Sequence, residues 1–349
     1  MRTTYQKDDV ILLLKDISGQ LAAQPTAERE KRIQQGIHYS EMLPIEYTPS
    51  PSYMQAYEQA LAQHADLTAS AVKTVAERIW AKKGHSVVLV SLARAGIPIG
   101  ILIKHYLQKT YAVSVPHYAI SIIRGRGIDH NAMKFLLQTH RPEQIQFIDG
   151  WTGKGAICTE LENAMKRYPA VSPSLAVLAD PAHIVELCGT HRDFLIPSAC
   201  LNATVCGLIS RTVLRSDLIQ NQDFHGAVFY DALRSQDRSY DLIQTIEASF
   251  ARAIFLEEEN VSTYNGLDEA NEIAHTFHID DINLIKPGIG ETTRVLLRRV
   301  PYIILIHPQA SGNDIDHIIQ LAKEKHVPVE VYPLQCYHTC GIIQTMRDV

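Results

Sequence analysis

Short apolar runs alternate with amphipathic stretches between residues 86 and 180. Four runs rich in β-branched residues predict buried strands at residues 86–92, 117–123, 144–149 and 174–180. Apolar residues at helical spacing predict helices at residues 53–83, 97–108 and 155–167. Strands that alternate with helices of this length predict right-handed βαβ units and a mainly parallel sheet. Such sheets bind ligands at the carboxyl ends of their strands.

A second, smaller α/β pattern occupies the end of the chain. It predicts helices at 291–299 and 314–325 and strands at 302–307 and 327–332. The acidic run that begins at Glu257 indicates a boundary. The predicted organisation is an N-terminal arm or cap (1–50), a main α/β domain (51–255), a linker (256–275) and a small C-terminal α/β domain (276–349).

Composition narrows the class of protein. With 349 residues, of which 46% are hydrophobic, the chain is long enough for two cores. No apolar run reaches the roughly 20 residues of a membrane span, and six scattered cysteines lack the density of a secreted disulfide scaffold. We therefore expect a cytoplasmic protein without a membrane partner. A net charge of −5 favours a small-molecule ligand over a broad nucleic-acid surface.

The strongest chemical signal is a hydrophobic strand that ends in Asp149 and runs through a glycine-rich turn into a helix. Backbone N–H groups of such a turn can bind a phosphate dianion, to which Lys154 adds positive charge. Asp149 is placed to hold ribose hydroxyls or Mg²⁺, directly or through water. The alternative is an ordinary turn in which glycine serves tight packing. The predicted phosphate and ribose contacts are Gly150, Trp151, Thr152, Gly153, Gly155 and Ala156.

A second turn of small residues follows the first predicted strand. Ala93, Ala95 and Gly96 allow a diphosphate to approach the backbone, and Arg94 supplies a forked donor for it. Small residues are common after a strand, so this turn alone is a weak sign of a phosphate site. It supports such a site only together with the glycine-rich turn that follows Asp149. We expect the two turns to lie at the same edge of the sheet.

Together the two turns resemble the ribose-phosphate and pyrophosphate loops of type I phosphoribosyltransferases. This resemblance implies a parallel sheet, a flexible loop over the site, the substrate phosphoribosyl pyrophosphate, an acceptor base and the cofactor Mg²⁺. Gly150 stands where that family usually has a second acid. The interpretation is a Mg²⁺-dependent transferase that stabilises a leaving pyrophosphate electrostatically.

A narrower resemblance rests on residues 149–156 and 198–213 and covers nearly the whole chain. The chain is similar to phosphoribosyltransferases with a C-terminal Pelota-type domain from bacterial tellurite-resistance and stress gene clusters, a group also labelled cysteine protease StiP. The resemblance implies that a nucleoside-like compound is made or phosphorolysed.

Further polar residues are candidates for the same site. Arg124 and Arg126 lie in a glycine-containing loop that could close over a pyrophosphate, or be inert. Asp180 ends the fourth predicted strand and could touch metal or acceptor, or serve as a structural cap. Buried polar groups need partners, so a polar set within residues 198–213 either shapes the acceptor side or forms an internal network. This set is Asn202, Ser210 and Arg211.

The C-terminal unit opens on a glycine-containing turn that leads into a basic helix. The unit resembles the Pelota and L7Ae-like RNA-binding domains, although Gly290 stands where such RNA binders commonly have Asn. Structured RNA and a purely structural or protein-binding role remain equal alternatives. The residues that fall on the RNA-binding pattern are Lys286, Gly288, Glu291, Thr292 and Arg294.

Two alternative functions compete with the transferase, and one further group of residues is considered as a metal site. Cys200 with His191 and an acid such as Asp193 could form a thiol nucleophile site of the StiP protease type. The pocket could instead belong to a non-catalytic nucleotide or RNA sensor. A zinc site at Cys336, His338 and Cys340 lacks a recognisable fourth ligand. A homo-oligomer is compatible with all of these interpretations.

Overall fold

The central sheet of the first unit joins six parallel strands side by side, in the order Ile11–Leu12, His117–Ile123, Val88–Ala93, Ile145–Ile148, Leu175–Ala179 and Leu187–Thr190. The computed structural model describes residues 1–46, 48–257 and 264–345. Its strands are β1 (Ile11–Leu12), β2 (Lys15–Asp16), β3 (Ala23–Gln24), β4 (Leu43–Pro44), β5 (Val88–Ala93), β6 (His117–Ile123), β7 (Gly127–Ile128), β8 (Ile145–Ile148), β9 (Leu175–Ala179), β10 (Leu187–Thr190), β11 (Gly226–Ala227), β12 (Ile285–Pro287), β13 (Pro301–Ile306), β14 (Val329–Val331) and β15 (Thr339–Ile343). Its helices are α1 (Thr26–Gln34), α2 (Pro51–Lys83), α3 (Gly96–Tyr111), α4 (His130–Thr139), α5 (Ala156–Met165), α6 (Ser239–Glu247), α7 (Gly266–Thr276), α8 (Ile289–Arg298) and α9 (Asp316–Glu324).

The predicted α/β class with a parallel core is confirmed. The four predicted strands correspond to β5, β6, β8 and β9, and the predicted helices to α2, α3 and α5. Helix α2 begins where the Ser50 hydroxyl accepts a hydrogen bond from the Tyr53 amide at 3.2 Å, and it ends at Gly84, whose φ of 62° few other residues adopt. It packs against β10 and α3, which places one edge of the sheet beside the longest helix.

The first fifty residues are joined to the main unit. Strand β1 pairs with β6 in the central sheet, and β2 pairs with β11 from much later in the chain. A two-residue strand gives almost no alternation to detect, so the sequence suggested an arm instead. Strand β10 was missed for a related reason, because its four residues include Cys188, Gly189 and Thr190.

The second unit has its own four-stranded mixed sheet, in the order β12-β15-β13-β14, as expected for a small α/β domain. Helix α7 lies in the range predicted as linker, and part of the predicted boundary, residues 258–263, lies outside the described residues. The helices of the described part of the chain are too short or too polar to span a membrane.

Candidate ligand cavity and thiol site

A cavity of about 390 Å³ lies where the ends of β5 and β8 meet the second unit. Both predicted turns reach it, the first through Arg94 and Ala95 and the second through the residues after Asp149. A side chain at Gly96 would place its Cβ 2.4 Å from the Ile148 carbonyl oxygen. Glycine at this position therefore allows the two turns to pack directly against each other.

Most of the predicted site residues line this cavity. They are Arg94, Ala95, Arg124, Asp149, Trp151, Thr152, Gly153, Lys154, Gly155, Ala156, Arg211, Lys286, Glu291 and Arg294. The remaining predicted residues lie outside its lining. They are Ala93, Gly96, Arg126, Gly150, Asp180, Asn202, Ser210, Gly288 and Thr292.

Asp149 is the acid at the end of β8. Its Oδ1 accepts a hydrogen bond from the Gly150 amide at 2.8 Å. Burial raises the pKa of Asp149 to about 6, against an ordinary value of 3.8. This carboxyl group can therefore take up or release a proton close to neutral pH.

The donor set of the cavity does not fit a resident Mg²⁺. Among the described residues that line it, Asp149 and Glu291 are the carboxylates, against nine lysine and arginine side chains. Glu291 already pairs with Arg294 at 3.2 Å. Mg²⁺ requires oxygen ligands that offset its charge, and this lining repels a cation. The predicted magnesium role of Asp149 stays a prediction that these residues do not favour.

The second unit closes the cavity through direct contacts with the Asp149 turn. The Arg294 guanidinium lies 4.2 Å from the centre of the Trp151 ring, and the Tyr337 hydroxyl donates to the Gly153 carbonyl at 2.7 Å. The Lys154 ammonium donates to the carbonyls of Ile282 and, at 2.7 Å, of Ile285. Burial together with the neighbouring cations lowers the pKa of Lys154 to about 7.

Gly290 makes this closure possible. A Cβ at this position would lie 2.7 Å from the Trp151 ring, which no ordinary packing permits. The Gly290→Ala variant should therefore lose about 1–3 kcal/mol of stability through overpacking, as measured by urea unfolding. Gly290 lies in helix α8 without a positive φ, so the exchange of Gly for Ala would by itself favour the helix. A Gly290→Ala variant as stable as the native chain, or more stable, would therefore contradict the close fit.

The loop predicted as a lid is the turn between β6 and β7. Glu160 accepts hydrogen bonds from the amides of Gly125 at 2.6 Å and Gly127 at 2.8 Å, which fixes the turn to α5. Arg124 reaches the cavity and donates to Asn283 Oδ1 at 3.0 Å. Arg126 instead pairs with Glu41, away from the cavity.

The residues predicted for the acceptor side lie in different parts of the structure. The Ser210 hydroxyl donates to the Arg211 carbonyl at 2.7 Å and accepts from the Val228 amide at 2.9 Å, which is the internal network left open as an alternative. Asn202 lines a different cavity, of about 290 Å³. Of this set, Arg211 alone lines the larger cavity.

Asp180 belongs to a second cluster of chemical groups, beneath the Thr152 turn. Cys188 Sγ lies 3.7 Å from His191 Nε2. His191 Nδ1 lies 2.9 Å from the Asp180 main-chain oxygen and 3.4 Å from its carboxylate. Within the described residues these three side chains also form the single group with metal-ligand spacing. The sequence analysis missed Cys188, although it stands three positions before His191.

The orientation of the imidazole distinguishes a thiol site from a metal site. Nε2 faces the sulfur while Nδ1 faces Asp180, so the carboxylate orients the ring from the side opposite the thiol. Hydrogen bonding to Asp180, followed by the thiol, raises the pKa of His191 to about 10. The ring is therefore positively charged at neutral pH and can stabilise a thiolate.

Asp180 and Arg78 hold this cluster in place. Asp180 is fully buried and accepts hydrogen bonds from the Thr152 hydroxyl at 2.5 Å, the Ile184 amide at 2.9 Å and the Val185 amide at 3.0 Å. The Arg78 guanidinium lies 3.9 Å from Cys188 Sγ. Two cationic groups thus face the sulfur.

The structure does not bring together Cys200, His191 and Asp193, which the sequence analysis considered as one thiol site. Cys200 is buried, burial raises the pKa of its thiol to about 12, and its main-chain oxygen accepts from Tyr53. Asp193 accepts from the amides of Ile289 at 2.9 Å and His338 at 2.8 Å, so it joins the two units. Residues close in sequence were assigned to one site, whereas the turns after β10 direct them to different places.

The three residues considered for zinc do not converge. Cys340 lies in β15, the Cys336 sulfur donates to the Tyr264 carbonyl at 3.6 Å, and the His338 amide donates to Asp193. None of them joins a three-ligand group in the part of the chain that the structure describes.

Comparison with known proteins finds two matching families and a relative that covers nearly the whole chain. Residues 3–247 match a family described as tellurite-like stress resistance cysteine protease StiP, and residues 264–345 match the PELOTA RNA binding domain. A relative from Acinetobacter baylyi, named cysteine protease StiP, is 35% identical in an alignment 367 positions long that covers 98% of this chain and 94% of the relative.

Two solved structures show partial similarity to this chain. One is the xanthine-guanine-hypoxanthine phosphoribosyltransferase of Helicobacter pylori, 18% identical with a TM-score of 0.23 over 31% of this chain and 69% of that one. The other is a hypoxanthine-guanine phosphoribosyltransferase of Bacillus anthracis, 13% identical with a TM-score of 0.25 over 35% and 71%. Scores this low carry no argument about function.

Proposed function

The chain belongs to the StiP family, and from that membership we propose that it hydrolyses peptide bonds with Cys188 as nucleophile. The observation that carries the proposal is the arrangement of His191 between the Cys188 sulfur and Asp180. In space, the His191 ring lies between the thiol that would act as nucleophile and the carboxylate that orients the ring, as thiol hydrolases require.

The prediction of a Mg²⁺-dependent phosphoribosyltransferase is corrected by these comparisons. Both the family that matches residues 3–247 and the relative that covers 98% of the chain carry the name of a cysteine protease. The sequence interpretation went too far because a turn that can bind phosphate does not specify which reaction takes place. Its alternative, a cysteine protease, is the one that the comparisons favour. The assignment of Cys188 in place of Cys200 is our proposal from the contacts of His191.

In the proposed reaction, the charged His191 ring stabilises Cys188 as a thiolate, which attacks the peptide carbonyl carbon. The C–N bond breaks as His191 gives its proton to the leaving amine, which leaves a thioester on Cys188 and a neutral imidazole. Water then attacks this thioester with His191 as base, and the step releases the carboxylic acid and restores the thiolate beside the charged ring. Asp180 keeps the ring oriented and supports its positive charge throughout.

For this reaction to occur, a peptide must be able to reach the Cys188 sulfur. Cys188 is 1% exposed in the structure, although it lies on β10, the last strand of the sheet. The Arg78 guanidinium that contacts the sulfur lies 5.8 Å from the ring of Phe255, which is itself exposed. We propose that displacement of Arg78 and Phe255 opens the site to a peptide.

Covalent labelling tests the proposed nucleophile. A peptide that carries an epoxide should alkylate Cys188 of the native chain, because a cationic imidazole activates this thiol and no other described cysteine has one within hydrogen-bond distance. Peptide mapping by mass spectrometry identifies the labelled residue. His191→Ala should lose the label, and Cys200 should stay unmodified. Preferential labelling of Cys158 or Cys336 would refute the proposal.

RNA binding by the second unit stays a prediction. The match of residues 264–345 to the PELOTA RNA binding domain supports a domain of that kind. Lys286, Glu291 and Arg294, which fall on the RNA-binding pattern, line the cavity, while Gly288 and Thr292 are buried. RNA could reach these residues only after the two units separate.

A further inference from the structure

The cavity between the two units carries far more positive than negative charge. Nine lysine and arginine side chains line it together with two carboxylates. Ion pairs with acids inside or beside the cavity neutralise three of these cations: Arg94 with Glu46, Arg294 with Glu291 and Arg299 with Glu30. Six cations remain without an ion pair among the described residues.

Several of these cations also have unused hydrogen-bond donors. The Nε atoms of Arg29, Arg211 and Arg298 are buried and have no hydrogen-bond partner. Arg29 is only 4% exposed, so water does not substitute for the missing partner. An unpaired buried charge is costly, and proteins normally pair or neutralise it. This cluster therefore has the composition of a site whose counter-ion is a ligand.

Mutual repulsion among the guanidinium groups supports the same conclusion. Burial, together with the charges of Arg29 and Arg94, lowers the pKa of Arg211 to about 9. Burial, together with the charges of Arg294 and Arg94, likewise lowers the pKa of Arg298 to about 9. A bound polyanion would relieve this repulsion, because opposite charge favours the protonated form.

We infer that the cavity binds a small polyphosphorylated molecule, held by both units at once. Each phosphate group carries about −1.5 to −2 charge near neutral pH, so about three phosphates approach the charge of the six unpaired cations. Arginine suits this role because its planar fork donates two hydrogen bonds to phosphate oxygens. A volume of about 390 Å³ lies within the range of small-molecule sites.

The position of the site favours a small molecule over RNA. Its walls come from both units, with Arg29 and Arg211 on one side and Lys286 and Arg298 on the other. The contacts of Tyr337 with Gly153 and of Asp193 with Ile289 hold these walls together. A ligand that bridges the walls should therefore also strengthen the attachment of the two units.

Calorimetric titration of the full chain tests this inference. The probes are inorganic triphosphate, a nucleoside triphosphate and a short RNA hairpin, without added metal. Triphosphate and nucleoside triphosphate should bind the native chain, and Arg211→Gln and Arg298→Gln should each weaken binding about tenfold or more. Arg234→Gln is the matched control, because Arg234 is exposed and pairs with Asp231 on the surface. Its affinity should equal that of the native chain.

Stability measurements separate lost binding from lost folding. Without ligand, Arg298→Gln should unfold at the same temperature as the native chain or higher, because it removes a repelled charge. Arg211→Gln should remain folded but gain less, because it also loses hydrogen bonds to the carbonyls of Tyr39 and Met42. Triphosphate should raise the unfolding temperature of the native chain and of Arg234→Gln equally, and should raise that of Arg211→Gln and Arg298→Gln less. Binding of neither phosphate compound, unchanged affinity in both variants, or binding of the hairpin alone would overturn the inference. Cys188→Ala should bind normally, so this result is independent of the proposed hydrolase.

Discussion

Replacing Cys188 by alanine is expected to lower kcat/KM for peptide hydrolysis by about a thousandfold or more. The loss follows because the thioester cannot form without the sulfur, and no second thiol lies near His191 among the described residues. Hydrolysis of a mixture of fluorogenic peptides measures the effect.

Cys200→Ala is the matched control for this prediction. Cys188 and Cys200 are 1% and 2% exposed, so both substitutions remove the same atoms from a buried position and should cost similar stability. The Cys200 variant should keep its activity, because its sulfur faces no histidine. If both variants lose activity equally, the loss comes from packing and the assignment of Cys188 fails.

The pH dependence of the native activity tests the pairing of Cys188 with His191. Hydrolysis requires a charged His191 beside the sulfur, and the pKa of this ring is raised to about 10. Activity should therefore persist through neutral pH and decline on the alkaline side as pH approaches that value. A decline near the ordinary imidazole value of 6.5 would show that Asp180 does not act on the ring.

Replacing Asp180 by alanine is expected to reduce the free energy of unfolding by about 3–5 kcal/mol. The substitution leaves the Thr152 hydroxyl and the amides of Ile184 and Val185 without an acceptor in a fully buried position. It also removes the group that orients His191, so activity should fall as well. Urea unfolding and the peptide assay measure the two effects separately.

The pH dependence of stability distinguishes the charge of Asp180 from its hydrogen bonds. The raised pKa of His191 means that its charged ring stabilises the native chain fully below pH 6.5, and that this contribution is lost as pH rises through about 10. Asp180→Asn should keep part of the hydrogen bonding and lose this pH dependence. An Asn variant that retains the full dependence would contradict the role assigned to the carboxylate.

The fold could be predicted to a large extent because its main elements have strong local patterns. Strands β5, β6, β8 and β9 are continuous apolar runs, and the turns that follow β5 and β8 contain the small residues that a close approach requires. Strands β1 and β10 have only two and four residues, so no periodicity marked them. Their places in the sheet depend on pairing partners distant in sequence.

The candidate sites could be predicted only in part, because each combines distant segments. For example, Arg29 lies in α1, Arg298 is the last residue of α8, and Arg299 follows it. No local sequence pattern connects these residues with the Asp149 turn, although all of them line the same cavity. Asp180 and His191 meet because β9 and β10 are neighbours, with Thr190 opposite Ala179. The sequence presented Cys188 as one more small buried residue in an apolar run.

In the proposed hydrolysis, Cys188 carries the acyl group of the cleaved peptide. If the reaction is stopped with acid while a peptide is being cleaved, mass spectrometry can map the trapped thioester. We expect a peptide fragment attached to Cys188 of the native chain and none in His191→Ala. An acyl group on any other cysteine, or cleavage that proceeds with no thioester at Cys188, would contradict this role of Cys188.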